Sequence, residues 1–451
     1  MNKPTQDKME NVQSILEKDS RNVPAVLLQE SQKNLGTEDI PNEVFLSHQY
    51  HDLEFEKLWK KVWQWVCREE NIPNVGDYLV YDIADLSVII VRSNNHKIRA
   101  FYNACLHRGT QLCVDSGHSL ALRCPFHGWT WKLDGTLAHI PCQWDFNHVQ
   151  TEEFSLPEIK VETWQDFVFI NFDHNSESLE NYLENLPEHF QQFSLQKRFI
   201  AAHVVKTMPA NWKVVLGAFL EAYHTITTHP QILKFTGDAN SQYDIYGRHN
   251  RMITPFAVQS PHLGIPQNKY DPIKAFLAFS GGNPDSIQIP ENNDIEPRSY
   301  VAQLSRQTFK QLLGIEYNNV SDTEMLDVIS YFIFPNFMSW PGVGSPLQFR
   351  FRPDGNNPDS CIMDILLLQP IPPNSSPNPA KTRYLTPEQK WTDAPELGGL
   401  GAVLEQDTSN LYRIQKGLKT SAKQGITLGN YQESRIRHFH EVLTEQLNTS
   451  E

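Results

Sequence analysis

Short runs of apolar, β-branched and aromatic residues are concentrated between residues 77 and 173 of the chain. Short β-rich segments alternate there with turn-forming residues, and Asp134–Gly135 directly follows one of them, as a hairpin turn would. The pattern therefore predicts a small antiparallel β domain. Its expected strands are Tyr78–Tyr81, Ser87–Val91, Arg99–Tyr102, Thr130–Lys132 and Phe167–Phe172.

Helical periodicity lies on both sides of this region. Apolar residues recur every three or four positions over Leu53–Cys67 and again over Ser178–Phe193, which predicts an amphipathic helix in each segment. A third helix is expected near Trp212–Tyr223. Two long helices, Leu397–Ser421 and Gln432–Leu447, are expected near the C-terminus.

The region between these helices predicts further strands and two surface loops. Strands are expected at Tyr331–Phe334, Leu347–Phe351 and Cys361–Leu368. Pro255–Asn293 is rich in Gly, Pro and Asn, and Pro370–Pro387 is rich in Pro, so both segments are predicted to be loops. Strands and helices are segregated along the chain, which indicates an α+β fold.

The length of 451 residues allows two or three cores. We expect a polar N-terminal arm over 1–45, a β domain with a flanking helix over 46–175, and a larger domain over 176–451. A net charge of −14 argues against broad affinity for nucleic acid or anionic lipid. The N-terminus is polar and no apolar run approaches the ~20 residues that a membrane helix needs, so a soluble, cytoplasmic protein is expected.

Four of the six cysteines fall between residues 105 and 142, which indicates a local site and not a disulfide scaffold. Cys105 and His107 form one pair. Cys124 and His127 form a second pair, with sixteen residues between the two pairs. On ligand types alone, a Cys2His2 zinc site and a [2Fe–2S] cluster, with cysteines on one iron and histidines on the other, both fit.

A second candidate metal site begins in the predicted helix near residue 220. Glu221 and His224 are three positions apart and would share a helix face. His229 follows just before Pro230, which is expected to end the helix. Two histidines near one helix end could bind a transition metal and leave coordination positions free. Taken singly, each histidine is more often a structural residue.

A carboxylate for the same site is expected on the first long C-terminal helix. Asp407 lies on the apolar stripe of that helix, where a carboxylate is costly unless it is paired or bound to a metal. Glu405 and Asp393 are less suitably placed. The stripe itself consists of Leu400, Val403, Leu404, Leu411, Ile414 and Leu418.

The segments Cys-Leu-His-Arg-Gly (105–109) and Cys-Pro-Phe-His-Gly-Trp (124–129) closely resemble the two cluster-binding loops of Rieske oxygenases. Downstream, the order of an acidic residue, two histidines and a distant Gln-Asp resembles the catalytic domain of their large (alpha) subunits. The resemblance covers the chain from about residue 45 onward. It implies a small antiparallel β Rieske domain and a larger helix-grip-like catalytic domain.

This resemblance also implies the ligands of both metal centres. Cys105 and Cys124 would hold one iron of the [2Fe–2S] cluster, and His107 and His127 the other. The spare Cys113 and Cys142 are then expected to be small buried hydrophobes. The mononuclear Fe(II) would be held by three further residues, which are His224, His229 and Asp407.

In the family, the acidic residue before the first histidine links a Rieske histidine of one subunit to an iron-bound histidine of its neighbour in a trimer. By the resemblance, Glu221 would connect His127 and His224 in this way. Most members carry Asp at this position, and Glu is one methylene longer. The chain also departs from the family upstream, where Leu216 and Gly217 stand near a position that is often Glu.

The resemblance implies a terminal oxygenase that uses O2 to dihydroxylate or monooxygenate an apolar aromatic or alicyclic ring. Electrons would come from NAD(P)H through a separate ferredoxin or reductase, since no nicotinamide or flavin motif is evident. A homotrimer is expected, and an additional small β subunit is left open. Cavity walls are expected from residues 210–270 and 330–370. Two alternatives lack oxygenase activity: a zinc-stabilised binding protein and an electron carrier.

Overall fold

The structure is a computed structural model that describes residues 10–286 and 296–449. These residues form two compact units. The smaller unit comprises 48–183, 352–358 and 446–449, and the larger comprises 10–47, 184–286, 296–351 and 359–445. The segment expected to be a polar arm therefore belongs, from residue 10 onward, to the larger unit, and the main division falls at residue 183 where 175 was expected.

The smaller unit is built on two antiparallel sheets. The seven-stranded sheet has the spatial order Gln64–Arg68, Phe167–Asn171, Glu158–Trp164, Ile98–Tyr102, Leu86–Arg92, Asp77–Ile83 and Gly117–His118. The three-stranded sheet consists of Leu122–Arg123, Thr130–Trp131 and Leu137–His139. All five strands predicted for this region are confirmed. The hairpin is confirmed too, since Lys132 N–H donates to Thr136 O at 2.9 Å across a turn in which Gly135 has a φ of +84°.

The prediction of a helix over Leu53–Cys67 is correct for its first half and wrong for its second half. An α-helix covers His48–Glu54 and continues as a π-helix over Phe55–Trp59. The chain then enters the strand Gln64–Arg68, whose five residues are all buried. This strand pairs with Phe167–Asn171, and both faces of the pair are covered. Sheet pairing therefore overrides the helical spacing of the apolar residues.

The larger unit contains an eight-stranded sheet. Its spatial order is Gln242–Tyr246, His249–Thr254, Val328–Ile333, Phe337–Ser339, Leu347–Asp354, Asn357–Pro370, Arg198–Met208 and Arg383–Leu385. The three strands predicted here are confirmed, and each is part of a longer or shifted strand. Gln242–Tyr246 and His249–Thr254 were not predicted, because buried polar residues interrupt their apolar pattern. A further two-stranded sheet pairs Ile40–Pro41 with Gly425–Ile426.

Helices form much of the remaining regular structure of the larger unit. Those of the larger unit are Val12–Leu16, Glu43–Leu46, Leu186–His189, Trp212–Gly217, Thr225–Thr228, Asp271–Phe279, Pro297–Leu313, Asp322–Leu326, Leu400–Thr420 and Ser434–Asn448. The two long C-terminal helices are thus confirmed. Within the described part of the chain, none of the helices is both long and apolar enough to span a bilayer.

Three predicted segments differ from the structure. The single helix predicted over Ser178–Phe193 is two short helices, because the chain reverses at Glu184, which has a φ of +54°. The loop predicted over Pro255–Asn293 contains the helix Asp271–Phe279, and its residues 287–293 lie outside the described residues. The loop predicted over Pro370–Pro387 contains one short edge strand.

A fully buried arginine ties the N-terminal segment to the eight-stranded sheet. Arg251 donates to Asp244 Oδ2 from Nε at 3.0 Å and from Nη2 at 2.7 Å. Its guanidinium also donates to the backbone carbonyls of Val26 at 2.6 Å and Gln29 at 2.8 Å. The other oxygen of Asp244 accepts from the Ser31 backbone N–H. One buried charge pair thus satisfies three backbone groups of a segment that has little regular structure.

Replacing this arginine is expected to destabilise the larger unit strongly. Arg251→Met leaves Asp244 buried and without its cation, which typically costs about 3–5 kcal/mol of unfolding free energy. The measurement is chemical denaturation of Arg251→Met beside Arg383→Met, whose arginine is 46% exposed in its pair with Glu396. The control should lose less than about 1 kcal/mol. Equal losses in the two variants would contradict this account.

Candidate metal centres and substrate cavity

The two Cys–His loops of the smaller unit have the same backbone fold. In the first loop Gly109 N–H donates to Cys105 O at 2.9 Å, and in the second Gly128 N–H donates to Cys124 O at 3.0 Å. The two glycines have φ values of +76° and +77°, which side chains with a Cβ rarely adopt. The glycine in each motif is therefore required to close its loop behind the ligand residues.

The four predicted ligand side chains come together where these loops meet. The Cys105 and Cys124 thiols are buried and contact each other. The rings of His107 and His127 lie side by side, with centroids 4.7 Å apart. His107 also stacks on Trp129 at 5.1 Å, and its Nδ1 is buried without a hydrogen-bond partner among the described residues. Two adjacent sulfurs and two adjacent imidazoles, one with an unsatisfied nitrogen, fit the ligand set of a Rieske cluster.

The loop backbone favours a thiolate at the second cysteine. Burial opposes ionisation of Cys124, but hydrogen bonds from the backbone N–H groups of His127 and Phe126 prevail and lower the pKa of its thiol. A thiolate is the form that binds metal.

The two spare cysteines lie outside this site. Cys113 is half-buried and contacts the Tyr78 hydroxyl. Cys142 is exposed, in a left-handed conformation with a φ of +54° at the start of a short surface turn. The prediction that both are buried is therefore wrong for Cys142, because the chain turns at the surface there.

The sequence predicted one continuous helix at the second site, but the structure has two separate helices there. The helix that begins at Trp212 ends at Gly217, and a separate turn of helix covers Thr225–Thr228. His224 and His229 flank this short helix on its two sides. Glu221 fixes the turn, because its Oε2 accepts the His224 backbone N–H at 2.9 Å. Glu221 therefore contacts His224 through this backbone hydrogen bond and through the imidazole ring, and not by sharing a helix face with it.

The structure brings His224, His229 and Asp407 together in the larger unit. Their potential ligand atoms all lie within 4.8 Å of one another. Asp407 Oδ1 is 2.5 Å from His229 Nε2 and 3.4 Å from His224 Nε2. One carboxylate and two imidazoles on one side of a site are a typical set for non-haem Fe(II) with open coordination positions.

The outer nitrogens of both imidazoles are held by other side chains. His224 Nδ1 lies 2.7 Å from Glu221 Oε1, and His229 Nδ1 lies 3.0 Å from Gln406 Oε1. Because both oxygens accept, each Nδ1 carries a proton, and Nε2, which contacts Asp407, is the ring atom that could bind a metal. Gln231 in turn donates to Gln406 Oε1 at 2.6 Å. This orienting role of Gln406 was not predicted, and in the sequence only its position beside Asp407 could have suggested it.

The electrostatics of this site favour a cation. Burial opposes protonation of His224, but its hydrogen bonds to Asp407 and Glu221 prevail and raise its pKa to about 10. Burial alone would raise the pKa of Asp407, yet the hydrogen bonds to His224 and His229 hold it below its usual value. Two carboxylates thus create a negative potential at the two imidazoles, which suits a bound metal ion.

An apolar cavity of about 370 Å³ adjoins this group, and all three residues form part of its wall. The cavity lies within the size range of small-molecule sites. Most of its wall comes from the expected 210–270 and 330–370 regions, and the rest comes from Phe279, Val328, Leu397 and the start of the helix Leu400–Thr420. Six aromatic side chains contribute to the wall: Phe219, Phe235, Phe256, Phe279, Trp340 and Phe349.

Solved structures share this architecture. A quaternary ammonium Rieske monooxygenase in complex with L-carnitine superposes with a TM-score of 0.64 at 20% identity, over 93% of this chain and 100% of that one. A naphthalene 1,2-dioxygenase variant bound to phenanthrene gives 0.65 at 17% identity, over 93% and 94%. At such identities the superpositions show a common fold alone. The fold is that of a Rieske oxygenase alpha subunit.

Family models agree with this class. Residues 183–449 match the catalytic domain of the ring-hydroxylating alpha subunit, and residues 62–155 match the Rieske [2Fe–2S] domain. The chain therefore belongs to the ring-hydroxylating alpha-subunit family of Rieske non-haem iron oxygenases. These two domains imply a Rieske cluster and a mononuclear iron as its cofactors.

Individual relatives match less than half of this chain. The carnitine monooxygenase oxygenase subunit of Acinetobacter pittii is 35% identical over 196 residues, which is 42% of this chain and 52% of that protein. The 2-aminobenzenesulfonate 2,3-dioxygenase alpha subunit of an Alcaligenes species is 27% identical over 194 residues, 42% and 49% of the two chains. The match thus spans about half the length of these relatives.

Removing the acceptor for His229 is expected to weaken the mononuclear site. Gln406→Leu leaves His229 Nδ1 without its oriented partner, and the loss of such a partner typically lowers metal affinity about 10- to 100-fold. The measurement is an anaerobic Fe(II) titration against a competing chelator. Gln424→Leu, at an exposed position on the same unit, serves as the control. Unchanged affinity in Gln406→Leu would contradict the orienting role.

Proposed function

We propose that the protein is a terminal oxygenase component that hydroxylates an apolar ring compound with O2, either as a cis-dihydroxylation or as a monooxygenation. The observation that carries this proposal is the position of His224, His229 and Asp407 in the wall of the apolar cavity. A ring compound in that cavity would lie directly beside the metal-binding atoms.

In this proposal the two sites hold the two cofactors of the family. Cys105, His107, Cys124 and His127 bind the Rieske cluster, and His224, His229 and Asp407 bind the mononuclear iron. When both are bound, the cluster supplies electrons and the iron activates O2. Support comes from the contact between the two thiols, the unsatisfied His107 Nδ1 and the close approach of the three ligand atoms in the second site.

The protein's own side chains orient the substrate and exclude water. Phe219 and Phe349 pack with ring centroids 5.2 Å apart, and Phe235 packs on Phe279 at the same distance. Such walls bind an apolar ring through buried area and edge or face contacts. They also keep bulk water away from Asp407, which strengthens its hold on the two imidazoles.

Electrons are proposed to come from NAD(P)H through a separate ferredoxin or reductase, and the working form is proposed to be a homotrimer. Glu221 would then link His224 of one subunit to the cluster ligand His127 of its neighbour. Support for the first half of this link is the 2.7 Å contact between Glu221 and His224. The His127 ring and the adjacent Phe126 are exposed in the smaller unit, which leaves them accessible to a neighbouring chain.

A quaternary ammonium compound is the second candidate substrate. Carnitine and glycine betaine monooxygenase subunits are among the relatives, and aromatic faces attract such cations. Both of those compounds also carry a carboxylate. Among the described residues that line the cavity there is no lysine or arginine to pair with it. The wall therefore favours a neutral ring compound.

The test supplies the metal-loaded protein with ferredoxin, reductase and NADH, and offers indane or L-carnitine under 18O2. Hydroxylated indane that carries 18O is the expected product. Labelled product from carnitine alone would favour the second candidate, and no labelled product from either would contradict the oxygenase.

Asp407→Ala is expected to lower turnover about 100-fold or more, because it removes an iron ligand. Glu405→Gln, two positions away on the same helix, should retain activity.

Glu221→Gln is expected to slow turnover about 10- to 100-fold while both metals stay bound, because the amide keeps the shape but removes the charge paired with His224. The measurements are kcat together with iron and sulfide content. Unchanged kcat would remove the proposed linking role of Glu221. Glu433→Gln, which lies nearby but makes no contact with His224, is the control and should retain kcat.

A further inference from the structure

One aromatic side chain of the cavity wall is also exposed to solvent. Phe279 lines the cavity and is 51% exposed. The other side chains that line the cavity are all buried or half-buried among the described residues, and two of its aromatic members, Phe235 and Phe349, are each 1% exposed. A side chain that faces both the cavity and the solvent lies at the mouth of that cavity. Phe279 therefore stands where a ligand would enter.

The helix Asp271–Phe279 places this ring at the mouth. The helix is anchored near its start, where Ile273 is fully buried in an apolar cluster with residues of the helix Pro297–Leu313. At its other end Phe279 and the next residue, Ser280, are exposed. The anchor and the mouth are thus at opposite ends of one short helix, so that the ring can move without disturbing the buried cluster.

The aromatic contacts of Phe279 are fewer than those of the deeper wall. Among the described residues its ring contacts only one other aromatic ring, that of Phe235, at a centroid distance of 5.2 Å. Phe349, in contrast, contacts the rings of Phe219, Trp340 and Phe351. A single ring contact on a half-exposed side chain is a weak constraint, whereas three contacts on a buried one hold it in place. Phe279 is therefore the wall aromatic that moves aside most easily.

We infer that Phe279 controls the passage of ring compounds into and out of the cavity: its ring blocks the mouth and moves aside before a ring compound passes. The inference rests on the proposed function, since it takes a ring compound to be the occupant of the cavity. A barrier at the mouth slows entry and exit by the same factor, because both cross it, and leaves the dissociation constant nearly unchanged. A residue of the deeper wall changes the dissociation constant instead.

The experiment measures both rates with N-phenyl-1-naphthylamine, a neutral ring compound whose fluorescence rises in apolar surroundings. It is mixed anaerobically with the metal-loaded protein, without reductant, in a stopped-flow instrument. The dependence on probe concentration gives the entry rate constant, and displacement by excess indane gives the exit rate constant. A probe that does not bind, or that indane does not displace, would overturn the inference, since the cavity would then not take ring compounds.

Phe279→Ala is expected to raise both rate constants about tenfold, with the dissociation constant within about threefold of the parent, because it removes the barrier. Phe279→Trp enlarges the barrier and should lower both. Phe349→Leu, in the deeper wall, should speed exit alone, because it removes contacts with the bound probe. Lys274→Ala, on the same helix but outside the lining, should change neither rate. Unchanged rates in Phe279→Ala, or faster exit without faster entry, would overturn the inference.

The rate measurement separates this inference from the proposed function, because it requires neither O2 nor turnover. A protein whose entry and exit rates both follow the size of residue 279, but which forms no 18O-labelled product, would retain the gate and refute the oxygenase. A protein that hydroxylates indane, but whose rates do not respond to substitution of Phe279, would retain the oxygenase and refute the gate.

Discussion

Asp407 is a largely buried carboxylate that contacts two imidazoles at once, and the geometry of the candidate iron site depends on this contact. Isolation of such a charge from water is costly unless cations or hydrogen-bond donors surround it. Here His229 and His224 both turn their Nε2 atoms toward one oxygen. The same contact explains why an aspartate stands on the apolar stripe of a long helix, since only a metal-binding or ion-pairing role compensates its burial there.

The imidazoles can meet Asp407 only because their other nitrogens are held. Glu221 orients His224 and Gln406 orients His229, so that both rings direct Nε2 toward Asp407. The helix break after Gly217 is part of the same arrangement. After this break Glu221 accepts the His224 backbone N–H, and the two histidines lie on either side of the short helix Thr225–Thr228.

The sequence predicted best where local chemistry determines the structure. The Cys–His loops require glycine at fixed positions, and Asp407 interrupts an otherwise apolar helix face, so both features can be recognised without coordinates. Strand segments with a run of β-branched residues, such as Leu86–Arg92, were equally accessible.

The remaining features depend on tertiary contacts that no local pattern encodes. Gln64–Arg68 is helical by spacing but is a strand because it pairs with Phe167–Asn171. His249–Thr254 contains buried polar residues whose partners are distant in sequence, with Arg251 as the main example. The role of Gln406 is visible only once His229 is placed beside it.

The central claim is that iron binds between His224, His229 and Asp407 beside an apolar cavity. Its most direct test is a crystal structure of the anaerobically reconstituted protein soaked with indane, with anomalous data collected at the iron edge. The account predicts an iron peak bonded to these three residues, a separate iron pair between the Cys–His loops, and indane density in the cavity. Absence of iron between the three residues, or zinc between the loops, would contradict it.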